Sequence, residues 1–141
     1  MVQKTLAIIK PDAVRRNAIG EIIARIEKSG FKILGLKYMH LTEQQAKAFY
    51  EVHKERPFYL DLVKYMTSGP IVPIALEKEN AIEDFRKLIG ATDPQKAEEG
   101  TIRKLYGTNI EQNAIHGSDS VENGEREVQF FFPLSEIVNV K

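Results

Sequence analysis

At 141 residues, 43% hydrophobic and 28% charged, the chain is long enough to bury a core without cross-links and has an ordinary globular balance. Twenty basic and twenty acidic residues cancel, which leaves no net positive charge for sequence-independent attraction to nucleic acid. The lack of cysteine excludes disulfides, thiolate zinc sites and a thiol nucleophile, and the expectation is one domain over residues 1–141 in the cytoplasm.

Leu6 to Ile9 is a continuous apolar run, suited to a strand buried on both faces. The run is too short for a signal peptide or a membrane span, and Lys10-Pro11-Asp12 breaks it, proline opening a helical turn. Ile19, Ile22, Ile23 and Ile26 recur at helical spacing, with Lys28 and Gly30 as the stop. Phe31 to Leu41 reads as a second strand. Thr42-Glu43-Gln44-Gln45 has the form of a capping box and starts a helix to about His53. Arg56-Pro57 interrupts, and Phe58 to Met66 is a further helical piece. Ser68-Gly69-Pro70 turns into a strand over Ile71 to Leu76, in which Pro73 favours an edge or a bulge. Asn80 caps a helix whose stripe is Ile82, Phe85, Leu88 and Ile89, closed by Gly90. From Ala91 to Gln112 the pattern weakens into a long loop, and such loops inside compact domains are usually functional. Ala114 to His116 is a short strand, Val121 to Phe131 a helix, and Pro133 to Val140 a tail. This alternation is a split βαβ arrangement. It predicts an α/β fold, an α+β sandwich of the ferredoxin-like βαββαβ kind with an antiparallel sheet covered by helices.

The chemistry concentrates in Asn113-Ala114-Ile115-His116-Gly117-Ser118-Asp119-Ser120-Val121-Glu122. A histidine ends an apolar run, a glycine follows, and hydroxyls and carboxylates come next. Near neutral pH an imidazole is largely uncharged and nucleophilic, and can accept a transferred group on one nitrogen while a partner holds the other. His116, Ser118 and Asp119 lie too close in sequence to act as a hydrolase triad, and no Gly-x-Ser-x-Gly elbow is present. His40, His53 and His116 share no helical i, i+4 spacing and have no cysteine partners, which argues against a protein-bound zinc site. Neither glycine-rich phosphate motif occurs, so any phosphate must be held by dispersed groups. Lys10, Arg86, Thr92 and Arg103 are the candidates, each where a regular element gives way to a loop.

Thr5-Leu6-Ala7-Ile8-Ile9-Lys10-Pro11-Asp12 at one end and Asn-x-x-His-Gly-Ser-Asp-Ser at the other together resemble the nucleoside diphosphate kinase family in its short, bacterial-type form. The likeness runs from Thr5 to about Val138. It implies reversible γ-phosphate transfer between nucleotides by a ping-pong route through a phosphohistidine at His116, with Nδ1 attacking. Glu127, with Ser118 beside it, would fix the ring through its other nitrogen or its edge. By the same resemblance Lys10, Tyr50, Arg86, Thr92 and Arg103 hold the phosphates, and Lys10 and Asn113 lie near the sugar hydroxyls. Phe58 and Leu62 flank the base on one side and Ile110 on the other. Stacking does not read base edges, so broad base tolerance follows. Mg2+ is expected to arrive on the nucleotide's phosphates rather than in a protein carboxylate cage. A homo-oligomer, tetramer or hexamer, is implied, with no membrane partner and no specific nucleic acid. The chain departs from the family where Ile110-Glu111-Gln112 precedes Asn113, in place of a Gly-x-Asn or an arginine.

Without the resemblance these residues have plainer readings. His116 fits a satisfied core histidine, Lys10 a charge at a strand end, Arg86 and Glu127 the polar faces of helices, and Arg103 a surface arginine. Tyr50 and Phe58 are ordinary core or rim aromatics. A module of the same fold that binds nucleic acid or regulates, without turnover, is the alternative function; zero net charge and the full set of site residues oppose it.

Overall fold

The computed structural model describes residues 1–138; the end of the expected Pro133–Val140 tail lies outside the described residues. Its first strand, β1 (Val2–Ile9), extends the apolar run towards the N-terminus and lies inside a four-stranded sheet. The others are β2 (Lys32–Leu36), β3 (Val72–Glu79) and β4 (Ile115–Gly117), in the spatial order β2-β3-β1-β4, each neighbouring pair antiparallel. Helices α1 (Pro11–Arg15) and α2 (Ile19–Lys28) link β1 to β2. The pair α3 (Glu43–Phe49) and α4 (Tyr59–Met66) lies between β2 and β3. Helices α5 (Ala81–Ile89) and α6 (Ile102–Tyr106) link β3 to β4, and α7 (Val121–Phe131) follows. This is the ferredoxin-like sandwich, with the α3–α4 pair in the connection from edge strand β2 to inner strand β3.

Burial on both faces of β1 explains why its sequence does not alternate. Leu6, Ala7, Ile8 and Ile9 are fully buried. Leu6 and Ile8 point into one apolar layer with Phe49, Met66, Val128 and Phe131, from α3, α4 and α7. Ala7 and Ile9 point into the other, with Ile22, Ile26, Phe85 and Ile89 from α2 and α5. Truncating Leu6 or Ile8 to alanine would cost about 2–5 kcal/mol. On the first layer α7 lies flush against β1: a Cβ at Gly124 would stand 2.3 Å from the Lys4 carbonyl oxygen.

Several elements differ from expectation for identifiable reasons. Pro73 sits in β3, an inner strand, not at an edge of the sheet. Its carbonyl accepts from the Lys37 amide (3.1 Å), so its backbone polar side faces the β2 side just beyond β2's end. The missing N–H therefore subtracts nothing from the β1–β3 ladder. The predicted strand over Phe31–Leu41 shrinks to Lys32–Leu36, with a register shift between Ile33 and Gly35; opposite Lys37, Pro73 has no N–H to return the bond, and a complete bridge forms again at Met39–Ile71. The capping box of Thr42 and Gln45 is formed as expected, but α3 stops at Phe49, and a separate 3-10 turn covers Glu51–His53.

Asn80 precedes α5 without capping it by its side chain. It adopts a left-handed φ of 57°, and the Ile82 amide is met by Gln3 Oε1 of β1 (3.1 Å). Gly90, at φ 89°, closes that helix as predicted. The weakly patterned stretch contains α6, capped by Thr101, which is too short for periodicity to reveal. Strand β4 begins at Ile115, one residue later than expected, because Ala114 turns with φ 76°.

Candidate active site

His116 lies on β4, paired with Ile8 of β1, and its ring is fixed by three elements. Its Nε2 is 2.8 Å from Glu127 Oε1 on α7. The Ser118 hydroxyl donates to the same oxygen (2.9 Å) and accepts from the Leu6 amide (3.0 Å). Direction is forced along this chain, since a backbone N–H can only donate and a carboxylate only accepts. Nε2 therefore carries a proton, and in the neutral imidazole Nδ1 keeps its lone pair. Phe49 of α3 meets the ring edge-on at 5.8 Å between centroids. Glu127 and Ser118 are both buried.

Lys10 and Asn113 form a second group. Lys10 Nζ donates to Asn113 Oδ1 (2.8 Å), and Asn113 Nδ2 donates to the Thr92 carbonyl (3.0 Å). Burial pushes the Lys10 ammonium down to about 8; the Arg103 guanidinium pushes the same way, and Asp12 and Glu111 partly offset both. Arg103 NH1 and NH2 donate to the carbonyls of Gly90 and Ile115 (3.0 and 2.9 Å), tying the end of α5 to β4. Each terminal nitrogen keeps a second N–H for a ligand. Burial, then the Arg86 charge beside it, lowers Arg103 to about 10. Arg86, Thr92 and Arg103 line one cleft of about 390 Å3 with Lys87, Lys96 and Thr101. Glu98 also lines the cleft and Glu83 pairs with Lys87, which still leaves cations in excess there and suits an anion.

The remaining candidates are placed more loosely. Tyr50 is buried edge-on against Phe49 (4.9 Å), its phenol held above its ordinary value by burial and then by the Glu127 charge. Phe58, at the start of α4, is 48% exposed and rests on His53 (5.5 Å). Leu62 is half-buried against the α3–α4–α7 apolar layer. Ile110 is 62% exposed on the loop after α6 and belongs to neither apolar layer. The structure thus joins His116, Ser118 and Glu127 in one network, Lys10 and Asn113 in another, and Arg86, Thr92 and Arg103 in one cleft. It leaves Phe58 and Ile110 as separate apolar surfaces open to solvent.

Two further groups touch these networks and went unmarked as site residues in the sequence. Phe49 supports the imidazole, and Asp12 accepts the Ala114 amide (3.0 Å) two residues before His116. The Lys-Pro-Asp run was the one local sign of Asp12.

A family model described as nucleoside diphosphate kinase matches residues 3–137. The nucleoside diphosphate kinase of Persephonella marina is 56% identical over 137 residues, covering 97% of this chain and 98% of that one. That of Chlorobaculum tepidum is 57% identical over 139 residues, 99% of each chain. The Aquifex aeolicus enzyme structure superposes with a TM-score of 0.96 at 45% identity, covering 98% of this chain and all of that one. A Halobacterium salinarum nucleoside diphosphate kinase in complex with CDP gives 0.94 at 40% identity, covering 100% and 94%. Among the described residues, no helix is long and apolar enough to cross a membrane. The fold, the histidine network and these likenesses agree: the chain belongs to the nucleoside diphosphate kinase family, a family of phosphotransferase enzymes.

Proposed function

We propose that this chain moves the γ-phosphate of a nucleoside triphosphate to a nucleoside diphosphate by a ping-pong route through a phosphohistidine at His116. The observation that carries the reading is the oriented imidazole, with Nε2 engaged by Glu127 and Nδ1 left free. In the first half-reaction the Nδ1 lone pair attacks the γ-phosphorus. A P–N bond forms as the bond to the bridging oxygen breaks, and the diphosphate leaves with that electron pair. The Nε2 proton stays on the ring, and the positive charge that develops there is offset by Glu127. A second diphosphate reverses the step.

Lys10, Tyr50, Arg86, Thr92 and Arg103 hold the phosphates in this reading. Spreading of charge over the transferring oxygens makes such positioning the main source of rate. Lys10 and Asn113 reach the sugar hydroxyls. Phe58 and Leu62 on one side and Ile110 on the other accept any base, since stacking is indifferent to base edges. The CDP complex of the halophilic relative supports a nucleotide as the ligand.

Mg2+ bound to the nucleotide's own phosphates would supply charge neutralisation. The donor set fits that arrangement, because Glu127 is taken up by His116 and Ser118, and Asp12 by Tyr65 and Ala114. Among the described residues no cluster of three or more His, Asp or Glu is placed to ligate a metal. A homo-oligomer, tetramer or hexamer, belongs to the same reading and is measurable by light scattering.

The test is incubation with γ-labelled ATP and magnesium without acceptor, followed by peptide mapping in alkali. Base-stable, acid-labile label on the His116 peptide, chased off by GDP or CDP, is the expected result. ATP binding without label would leave the pocket and remove the chemistry.

A further inference from the structure

The backbone just before His116 is strained and buried, and something must hold it. Ala114 has φ 76°, a left-handed value that costs a non-glycine residue free energy, and it is fully buried. The Ile115 amide donates back to the Asn113 carbonyl (2.9 Å), which makes Ala114 the centre of a three-residue γ-turn of the rare left-handed type. Asn113 and His116 hang from the two sides of this turn.

Both polar groups of Ala114 are met from the start of the chain. Its carbonyl accepts from the Lys10 amide (2.8 Å), and its N–H donates to Asp12 Oδ2 (3.0 Å). Asp12 is 5% exposed, too buried for water to replace that bond. Its other oxygen, Oδ1, accepts the Tyr65 hydroxyl, which in turn accepts from the Asp12 amide (3.1 Å). Tyr65, on α4, is itself buried. Two distant segments, the β1–α1 junction directly and α4 through Asp12, thus converge on one strained residue.

We propose that Asp12, braced by Tyr65, is a positioning residue: it holds the left-handed turn at Ala114 and so sets the placement of Asn113 and His116. The inference rests on the phosphohistidine reading above for its effect on rate. Asp12 touches neither substrate nor reacting atoms. Its influence passes through backbone geometry, where a displacement of about 1 Å costs on the order of 100-fold in rate.

Removing the anchor while retaining or replacing its function separates this role from simple structural support. Asp12→Ala is expected to lower kcat for ATP-to-GDP transfer by about 100-fold, with KM changed by less than about threefold. Asp12→Asn keeps an oxygen for the Ala114 amide and offers its NH2 to the Tyr65 oxygen, so it retains kcat to within about tenfold. Tyr65→Phe, which preserves the packing, gives an intermediate loss. Ala114→Gly added to Asp12→Ala recovers at least about tenfold, because glycine takes a positive φ freely.

Circular dichroism melts report folding, and the 1H–15N shifts of the His116 ring report geometry without turnover. Those shifts move in Asp12→Ala and Tyr65→Phe and return towards the parent in Asp12→Ala/Ala114→Gly. A folded Asp12→Ala chain with parental kcat and ring shifts overturns the proposal. So does Asp12→Asn losing as much as Asp12→Ala, which would make the charge the essential element, or a failure of Ala114→Gly to restore. Should Asp12→Ala not fold, parental kcat and shifts in Tyr65→Phe overturn it. If the parent takes no label at His116, the phosphohistidine reading falls, while the ring shifts still decide the anchor.

Discussion

Glu127 is 7% exposed and accepts from two donors, whereas Phe58 is 48% and Ile110 62% exposed. The two halves of the site differ in how much of their geometry is settled before a nucleotide arrives. Around His116 the donors and acceptors are paired into a chain that begins on the backbone of β1. Around the expected base position, apolar side chains wait without protein partners on their outer faces. The contrast matches the chemistry proposed. The phosphorus atom is the same in every substrate and rewards preorganisation, whereas the base varies and rewards an open, unselective surface.

The comparison predicts that damage to the histidine half costs rate and damage to the open half costs only affinity. The largest effect belongs to Glu127→Ala. It leaves the Ser118 hydroxyl and the His116 ring N–H without their acceptor, lowering single-turnover labelling of His116 about 10- to 100-fold. It also costs about 1–3 kcal/mol of stability for each buried donor left unmet. Unchanged labelling would show that the buried network is scaffolding alone.

Next is the pH dependence of Lys10, which sits between the halves. Its ammonium titrates near 8 in the folded chain, against an ordinary 10.5. The nucleotide KM should therefore climb by up to about tenfold per pH unit above about 8, as the cation is lost, and Lys10→Met should flatten that rise. Stability moves the other way. Between pH 8 and 10.5 the unfolded chain holds a proton that the folded chain has released, so stability rises with pH across that window. The burial penalty is present in full below the window, and urea melts of Lys10→Met should lose the rise.

Phe58→Ala sharpens the open half. Loss of one stacking surface should raise nucleotide KM about fivefold with kcat and melting temperature unchanged. A matching fall in kcat would mean that the base platform also aligns the phosphates. The smallest effect is expected at Glu111, in the short stretch before Asn113. That carboxylate is exposed, and exposed charges are screened over about 8 Å at physiological salt. Glu111→Gln should therefore shift KM less than about twofold.

Legibility in the sequence followed the distance over which each residue works. The apolar run of β1, the stripe of α5 and the capping box of α3 are local patterns with local causes, and all three stand in the structure. Pro73 signals an edge or a bulge in the sequence because proline lacks an N–H. The structure shows that this missing N–H faces Lys37, just beyond the end of β2, so the bond it forgoes lies outside the β1–β3 ladder. Gln3 meets an α5 amide 79 residues away, and Asp12 meets Ala114 across 102. No window of sequence contains such a pair. In the site, His116 announced itself through its neighbours. Lys10, Arg86 and Arg103 were indistinguishable from surface charge until the two end motifs were read together. What sets Arg103 apart physically is its pair of carbonyl acceptors on Gly90 and Ile115, which come from separate elements.

Gly124 seats the helix that carries Glu127 although it has no side chain to offer. The contact it permits between α7 and the Lys4 carbonyl sets the seat of the helix on the sheet, and Glu127 rides one turn further along the same helix. The depth of that seat is therefore the gauge of the carboxylate-to-imidazole bond. Even a methyl group at this position would act as a shim, lifting the helix and opening the bond while leaving every polar atom of the site intact. A side chain at position 124 is thus opposed for a mechanical reason, and a screen for slow variants should find the position among residues that look like packing.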